Sequence, residues 1–212
     1  TQRSISLTTS SSAEPIRTAI EELRPDRVVF LCSGGRHGSR PQVDGEGTPC
    51  EIRCRGEVVE RRPSLVRQLD LRDYGVEVHE DPDDLAGWYT LATRVLDALS
   101  EGGTTRVLAD YTGGTKTMSS ALVAAALDRR IPLHVTTGQR TNLVKVDFGQ
   151  ATAQLPTNPI HTERALRVEL PELLAGFDYP GAVRLLRDLS TQGRATSADR
   201  QEWTFLQDLC RT

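Results

Sequence analysis

The run RVVFLC, Arg27–Cys32, is apolar at every position after its arginine and closes on Ser33-Gly34-Gly35. A segment with no polar side has no face to show to water. It belongs inside a parallel sheet covered on both faces. Upstream, Ile5 and Leu7 mark a short strand and Thr8–Ser12 a hydroxyl-rich turn. Ile16, Ala19, Ile20 and Leu23 then recur at helical spacing. Ser12 is the expected N-cap of that helix, with Glu14 and Pro15 in its first turn, and Arg24-Pro25-Asp26 ends it. Strand, helix, strand is a βαβ unit, and it commits the chain to an α/β fold.

The rest of the chain extends that unit. Residues 35–62 hold no period and read as a long, partly irregular insertion with a short hairpin near Ile52 and Val58. PSLVRQLDL reads as a short helix and YGVEVHE as a strand. Leu85, Trp88, Ala92, Val95, Leu96 and Leu99 mark one helix face, with Asp81 as its expected cap. TRVLADY, PLHVTTG and LVKVDFG are further strands, the last two joined by a turn at Gln139–Asn142 into a hairpin at the sheet edge. After Pro156 the pattern is helical only. Leu170, Leu173 and Leu174 mark one helix, and Pro180, Val183, Leu186 and Leu189 a second. Trp203, Leu206 and Cys210 mark a third, capped by Ser197. The expected organisation is therefore a mostly parallel sheet domain over 1–155, with the 35–62 insertion, followed by an α-helical connector, or the start of an effector region, over 156–212. Met118 is the only methionine. The chain thus reads as processed or cut from a longer protein, with an effector expected downstream of Thr212.

The stretch LADYTGGTKTMSSALVAAAL carries the clearest chemistry. A strand ends at Asp110. Gly113 and Gly114 permit positive φ and close approach of a ligand to the backbone. The helix that follows offers unpaired N–H groups and a partial positive charge. Lys116 adds a point charge, and Thr112, Thr115, Thr117 and Ser119 add hydroxyl donors. Every element suits a phosphate. A plain strand–helix turn with a solvated lysine is the alternative, but it accounts for one glycine and not the set. A Walker A loop needs glycine directly before the lysine and four residues between its glycines. Thr115 precedes Lys116 here, and the glycines are adjacent.

The turn Thr8-Thr9-Ser10-Ser11-Ser12 is a second anion-friendly turn at a helix N-terminus, or an ordinary serine-rich cap. Ser33-Gly34-Gly35 is a third turn after a strand. In a doubly wound sheet such turns on either side of the switch point share one crevice. Arg36, His37 and Arg40 reach that crevice or lie in water. His134, inside an apolar strand, reads as a hydrogen-bonded core residue. No GxSxG elbow or HExxH motif is present, and no catalytic residue is assigned. CEIRC with His37 lacks the further ligands a zinc site needs, so reduced thiols are expected and no metal is assigned. A net charge of −3 argues against a broad nucleic-acid face. No apolar run reaches membrane-spanning length, and no signal peptide is recognised.

The motif Asp110-Tyr111-Thr112-Gly113-Gly114-Thr115-Lys116-Thr117-Met118 resembles the strand-four motif Asp-x-Thr-Gly-Gly-Thr-Lys-x-Met of the CARF (CRISPR-associated Rossmann fold) family, in its TIGR-type branch. EPIRTAIEELRPDRVVFLCS resembles the family's first helix and second strand, and FDYPGAVRLL the segment beyond its CARF domain. The resemblance covers roughly residues 4–150 and implies a Rossmann-like fold and a cytoplasmic homodimer. It implies binding of a cyclic oligoadenylate, expected to be cyclic tetra-adenylate, across the two-fold axis, to control an attached effector in type III CRISPR antiviral defence. Carried onto this chain, the ligand-binding set is Thr8, Thr9, Ser10, Ser11, Ser12, Ser33, Gly34, Asp110, Thr112, Gly113, Gly114, Thr115, Lys116 and Met118. The ligand itself is the only small molecule expected, with no separate cofactor. The alternatives are a metal-independent ring nuclease, with Lys116 and the hydroxyls positioning a ribose 2′-OH for in-line attack, and a ligand-controlled transcription regulator using Arg184, Arg187, Arg194 and Arg200.

Overall fold

The strands in chain order are β1 (Arg3–Thr8), β2 (Arg27–Ser33), β3 (Cys50–Cys54), β4 (Glu57–Arg62), β5 (Tyr74–His79), β6 (Arg106–Asp110), β7 (Leu133–Thr141) and β8 (Lys145–Gln154). Six of them form one sheet in the order β5-β2-β1-β6-β7-β8, and β3 and β4 pair separately. Within the six-stranded sheet β1 pairs in parallel with both β2 and β6, β2 with β5, and β6 with β7, and β8 joins antiparallel to β7. The strand order therefore reverses between β1 and β6, which is the switch point where crevices form in such sheets. The fold is a mixed α/β, Rossmann-like sheet with an antiparallel edge hairpin and helices after it. This computed structural model describes residues 3–8, 13–35, 37–54, 57–101, 105–141, 145–191, 204, 205 and 208. It divides into two compact units, Thr1–Pro156 and Thr157–Thr212.

The RVVFLC run is buried on both faces because its side chains alternate between two cores. Val29 and Leu31 enter one core with Val107, Ala109 and the buried sides of α4 (Leu85–Ser100) and α5 (Lys116–Asp128). Val28, Phe30 and Cys32 enter the other with Ile5, Leu108 and α1 (Glu14–Leu23). Ala121, Ala125 and Ala126 on α5 face α4, so small residues let the two helices approach closely. The polar rim of that contact is tied by Arg129 Nε to Asp97 Oδ1 at 2.5 Å and Tyr89 OH to Asp128 Oδ2 at 2.7 Å. No helix among the described residues is long and apolar enough to cross a membrane.

Several local expectations are corrected. The N-cap position of α1 is Ala13, with no side-chain cap. Ser12, one residue earlier, lies outside the described residues. The cap of α4 is Asp84, whose Oδ1 accepts from Gly87 N at 3.0 Å, whereas Asp81 Oδ1 accepts from Asp83 N in the loop before it. β7 continues through Thr141, so Gln139–Thr141 are strand residues rather than a turn. The 35–62 insertion carries the expected hairpin, β3–β4, and also a short helix, α2 (Arg40–Asp44). The PSLVRQLDL helix is α3 (Leu65–Gln68).

In the second unit, α6 (Asn158–Arg164) runs into a π-helical segment, Ala165–Glu169, and then α7 (Leu170–Ala175) and α8 (Tyr179–Thr191). Ala165, Leu170, Ala182, Leu186 and Leu189 form its core. The third tail helix expected around Trp203, Leu206 and Cys210, and its Ser197 cap, fall outside the described residues.

Candidate functional site

The β6–α5 turn is held from inside by the hydroxyls that looked like ligand donors. Asp110 Oδ1 accepts from Thr112 N at 2.9 Å. Thr112 Oγ1 accepts from Thr136 N on β7 at 2.7 Å. Thr115 caps α5 through Met118 N, at 3.2 Å, and donates its own hydroxyl to Pro82 O, at 3.0 Å. Ser119 donates to Gly113 O at 2.8 Å. Of the two glycines only Gly114 has positive φ, at 84°, whereas Gly113 is buried with ordinary φ. The expectation of positive φ at both is thereby corrected. The loop's shape is built by side chain to backbone bonds, and Gly114 supplies the one left-handed step a β-carbon would oppose.

Pairing the hydroxyls inward leaves a distinct set facing out. Lys116 is exposed and has no hydrogen bond or ion pair among the described residues. It is the first residue of α5, where the helix dipole already favours an anion. The N–H groups of Lys116 and Thr117, in that first turn, likewise have no partner among the described residues. An ammonium-bearing side chain and two free helix N-terminal amides thus share the first turn of α5, where an anion is favoured. Beside them an open cavity of about 640 Å³ is lined by Tyr111, Gly114, Lys116, Ser119, Ser120, Val123, Ala124 and Leu127. That volume lies in the range of small-molecule sites. Its residues follow one stripe of α5, polar at the N-terminal end and apolar beyond Val123.

The other expected members of the site are placed differently. Asp110 is fully buried, and burial pushes its carboxyl up to about 6, against the opposing pull of its bonds from Thr112. Met118 is inside the core at 1% exposure, and its sulfur accepts from Thr115 N. Ser33 is engaged with Ser39: each backbone N–H donates to the other's hydroxyl, at 3.0 and 3.1 Å. Gly34 N donates to His79 O at 2.9 Å, and a β-carbon on Gly34 would fall 2.4 Å from Glu80 Oε2. The β2 turn is thus closed on itself and covered by Glu80. Thr8 ends β1, and Thr9, Ser10, Ser11 and Ser12, with Arg36, lie outside the described residues. His37 and Arg40 are exposed, and Arg40 pairs with Asp44.

The motif alone does not show how much β7 contributes. Tyr111 N donates to His134 O at 3.3 Å, and Thr136 N to Thr112 Oγ1, so two β7 residues grip the turn. The only sequence signal was polarity: His134 and Thr136 interrupt an apolar strand. His134 was expected to be hydrogen-bonded, but neither ring nitrogen has a partner among the described residues, and burial lowers its proton affinity.

With the sheet order and this turn in place, solved structures supply a comparison. The chain is similar in fold to Enterococcus italicus Csm6. That structure, of Csm6 bound to cyclic hexa-2′-fluoro-hexa-dAMP, aligns with a TM-score of 0.63 at 12% identity, over 99% of this chain and 53% of Csm6. Can2 from Sulfobacillus thermosulfidooxidans, in complex with cyclic tetra-adenylate, aligns at 0.49 and 11% identity, over 99% of this chain and 65% of Can2. A type III CRISPR defence DNA nuclease activated by cyclic oligoadenylate aligns at 0.44 and 13% identity, over 98% of this chain and 33% of the nuclease. This chain spans about half the length of Csm6, and at this identity the likeness is one of fold. No protein-family model and no curated protein sequence matches the chain.

Proposed function

We propose that this chain is a sensor of the CARF type, of the branch named above, binding a cyclic oligoadenylate at the β6–α5 turn to control an attached effector in type III CRISPR defence. The observation that carries the reading is Lys116: a cation with no partner among the described residues, at the start of a helix where the hydroxyls of Thr112, Thr115 and Ser119 are bonded within the protein. It is available to a phosphate and committed to nothing else. The fold shared with Csm6, whose structure holds a cyclic hexanucleotide analogue, supports the ligand class. Cyclic tetra-adenylate is the ring we propose. Such a ligand is made where foreign RNA is sensed, which places the protein's action in the cytoplasm.

We also propose a homodimer with the ring lying across its two-fold axis. One Lys116 is few cations for four phosphates, and a second copy doubles it. The outer stripe of α5 supports this arrangement. Ser120 and Ala124 are exposed, and Val123 and Leu127 half-buried, so small and apolar side chains line a helix face that begins at Lys116.

Calorimetry with cyclic tri-, tetra- and hexa-adenylate tests the reading. Binding of the tetra-adenylate with one ring per two chains is expected, and binding of none of the three rejects it. Lys116→Ala is expected to weaken binding at least tenfold, about 1.5–3 kcal/mol for a charged hydrogen bond. Its melting temperature should not change, because the side chain is exposed and unpaired.

A further inference from the structure

Three buried polar atoms beneath the turn have no hydrogen-bond partner among the described residues: Asp110 Oδ2 and both ring nitrogens of His134. The two residues are direct register partners on β6 and β7. Register partners on adjacent parallel strands have Cα atoms about 4.8 Å apart and side chains on the same face. Here that is the face of α1, where Thr136, two residues along from His134, donates its hydroxyl to Pro15 O. Asp110 is 0% and His134 6% exposed. A buried polar group left without a hydrogen bond is destabilising. Adjacent unsatisfied groups in a native core call for a shared explanation.

Both residues also hold the turn: Asp110 through Thr112 N, and His134 through the bond from Tyr111 N to its carbonyl. We infer that Asp110 and His134 form one proton-sharing pair that positions the Thr112–Lys116 turn and takes up a proton when an anion binds there. This rests on the functional reading above. One proton suffices for the pair. On Asp110 Oδ2 it gives a neutral acid beside a neutral imidazole; on His134 it gives a carboxylate beside an imidazolium. In either state the pair has one donor for one acceptor, and a hydrogen bond between them would meet two of the three unsatisfied atoms.

The surrounding groups leave the pair to titrate largely by itself. Arg106 acts on His134 through its charge, and Asp110 acts on the phenol of Tyr111. Ile16 and Ile20 of α1 belong to the apolar core on that face, and Glu22 of α1 is bonded to Thr152 N on β8. Gln154 is the neutral register partner of His134 on the other side. Burial already favours the protonated acid at Asp110. A polyanion arriving at Lys116 raises proton affinity further, so ligand and proton bind cooperatively. The sign follows: affinity falls as pH rises through the interval between the free and the bound titration points.

The test is calorimetric titration of the full chain with cyclic tetra-adenylate from about pH 6 to 8, in buffers of differing ionisation enthalpy, which count the protons exchanged. Expected is net proton uptake by the native chain and an affinity loss of about threefold or more across that range, less than the tenfold-per-unit limit for one full proton. Asp110→Asn is expected to abolish the uptake and flatten the profile, and His134→Gln to shift it. His37, His79 and His161 are unchanged in every arm, so the comparison isolates the substituted residue. Binding without proton uptake, or with the same uptake in Asp110→Asn, overturns the pair while leaving the sensor reading intact. Absence of binding at every pH rejects the sensor reading and the inference with it. A second measurement needs neither a variant nor a ligand. Carboxyl-carbon NMR of the native chain should show Asp110 titrating well above the ordinary carboxylate range, with an inflection shared by the His134 ring; titration in the ordinary range overturns the pair.

Discussion

Thr115 does more for the site than its neighbours, although Lys116 carries the charge. Its hydroxyl caps α5 and reaches Pro82 O in the loop before α4. Thr115→Ala is expected to cost about 1 kcal/mol from the cap alone, read as a lower melting temperature. It should also weaken ligand binding, because the first turn of α5 loses its fixed direction. Asp110 gives a pH-dependent prediction. Its folded titration point, about 6, lies above the unfolded value of 3.8. Its contribution is therefore fully present below the unfolded value and is lost as pH rises through about 6. Relative to Asp110→Asn, the native chain should lose up to about 3 kcal/mol of stability over that interval, by linkage, as measured by denaturant unfolding at successive pH values. The charge of Lys116 was legible in the sequence because charge is a local property, whereas nothing local separated Gly114, with its positive φ, from Gly113 without one. Nor was the inward commitment of Thr112 and Ser119 legible. A hydroxyl serves a loop or a ligand equally well, and its choice depends on partners such as Thr136, 24 residues away.

At the level of elements, Pro171 explains the wide turn in the second unit. A proline inside a continuous helix has no N–H and crowds the carbonyl four residues back, here that of Arg167. The helix answers by widening just before it: Leu170 N bonds Ala165 O, five residues back, and α7 restarts with Pro171 in its first turn. Pro171→Ala removes that cause. The expected outcome is a regular helix through 158–175 with slower amide exchange over Ala165–Glu169, and unchanged exchange there would argue for another origin. The strands were legible wherever burial on two faces made them continuously apolar, as in RVVFLC. Caps were less so. Asp81 and Asp84 are chemically equivalent in the sequence, and only the approach of His79 and Gly87 to Asp84 separates them. The Gly87 N–H, then His79 Nε2 at 2.9 Å, hold the Asp84 carboxyl below its usual range.

For the whole molecule, alternating strands and helices foretold a parallel sheet, and the short Gln139–Asn142 spacing foretold the antiparallel edge. The strand order was not written in any one segment, since it depends on which elements pack across the sheet. Assembly is open to a direct test. Ala124→Glu places a charge on the exposed stripe of α5 without touching its buried side. Under the proposed homodimer it should reduce the mass seen by light scattering to that of one chain and weaken ring binding in parallel. A native chain that is monomeric at micromolar concentration removes the homodimer from the proposal.

The bonds that wire the β6–α5 turn also bear on how fast a ligand binds. Asp110, Thr112, Thr115, Ser119 and Thr136 fix the turn through the chain's own hydrogen bonds. Little chain entropy remains to be lost there on capture. Encounter at this turn need not wait for the loop to order itself, so association is expected to be quick and sensitive to ionic strength through Lys116, with residence time left to the number of phosphates the ring presents.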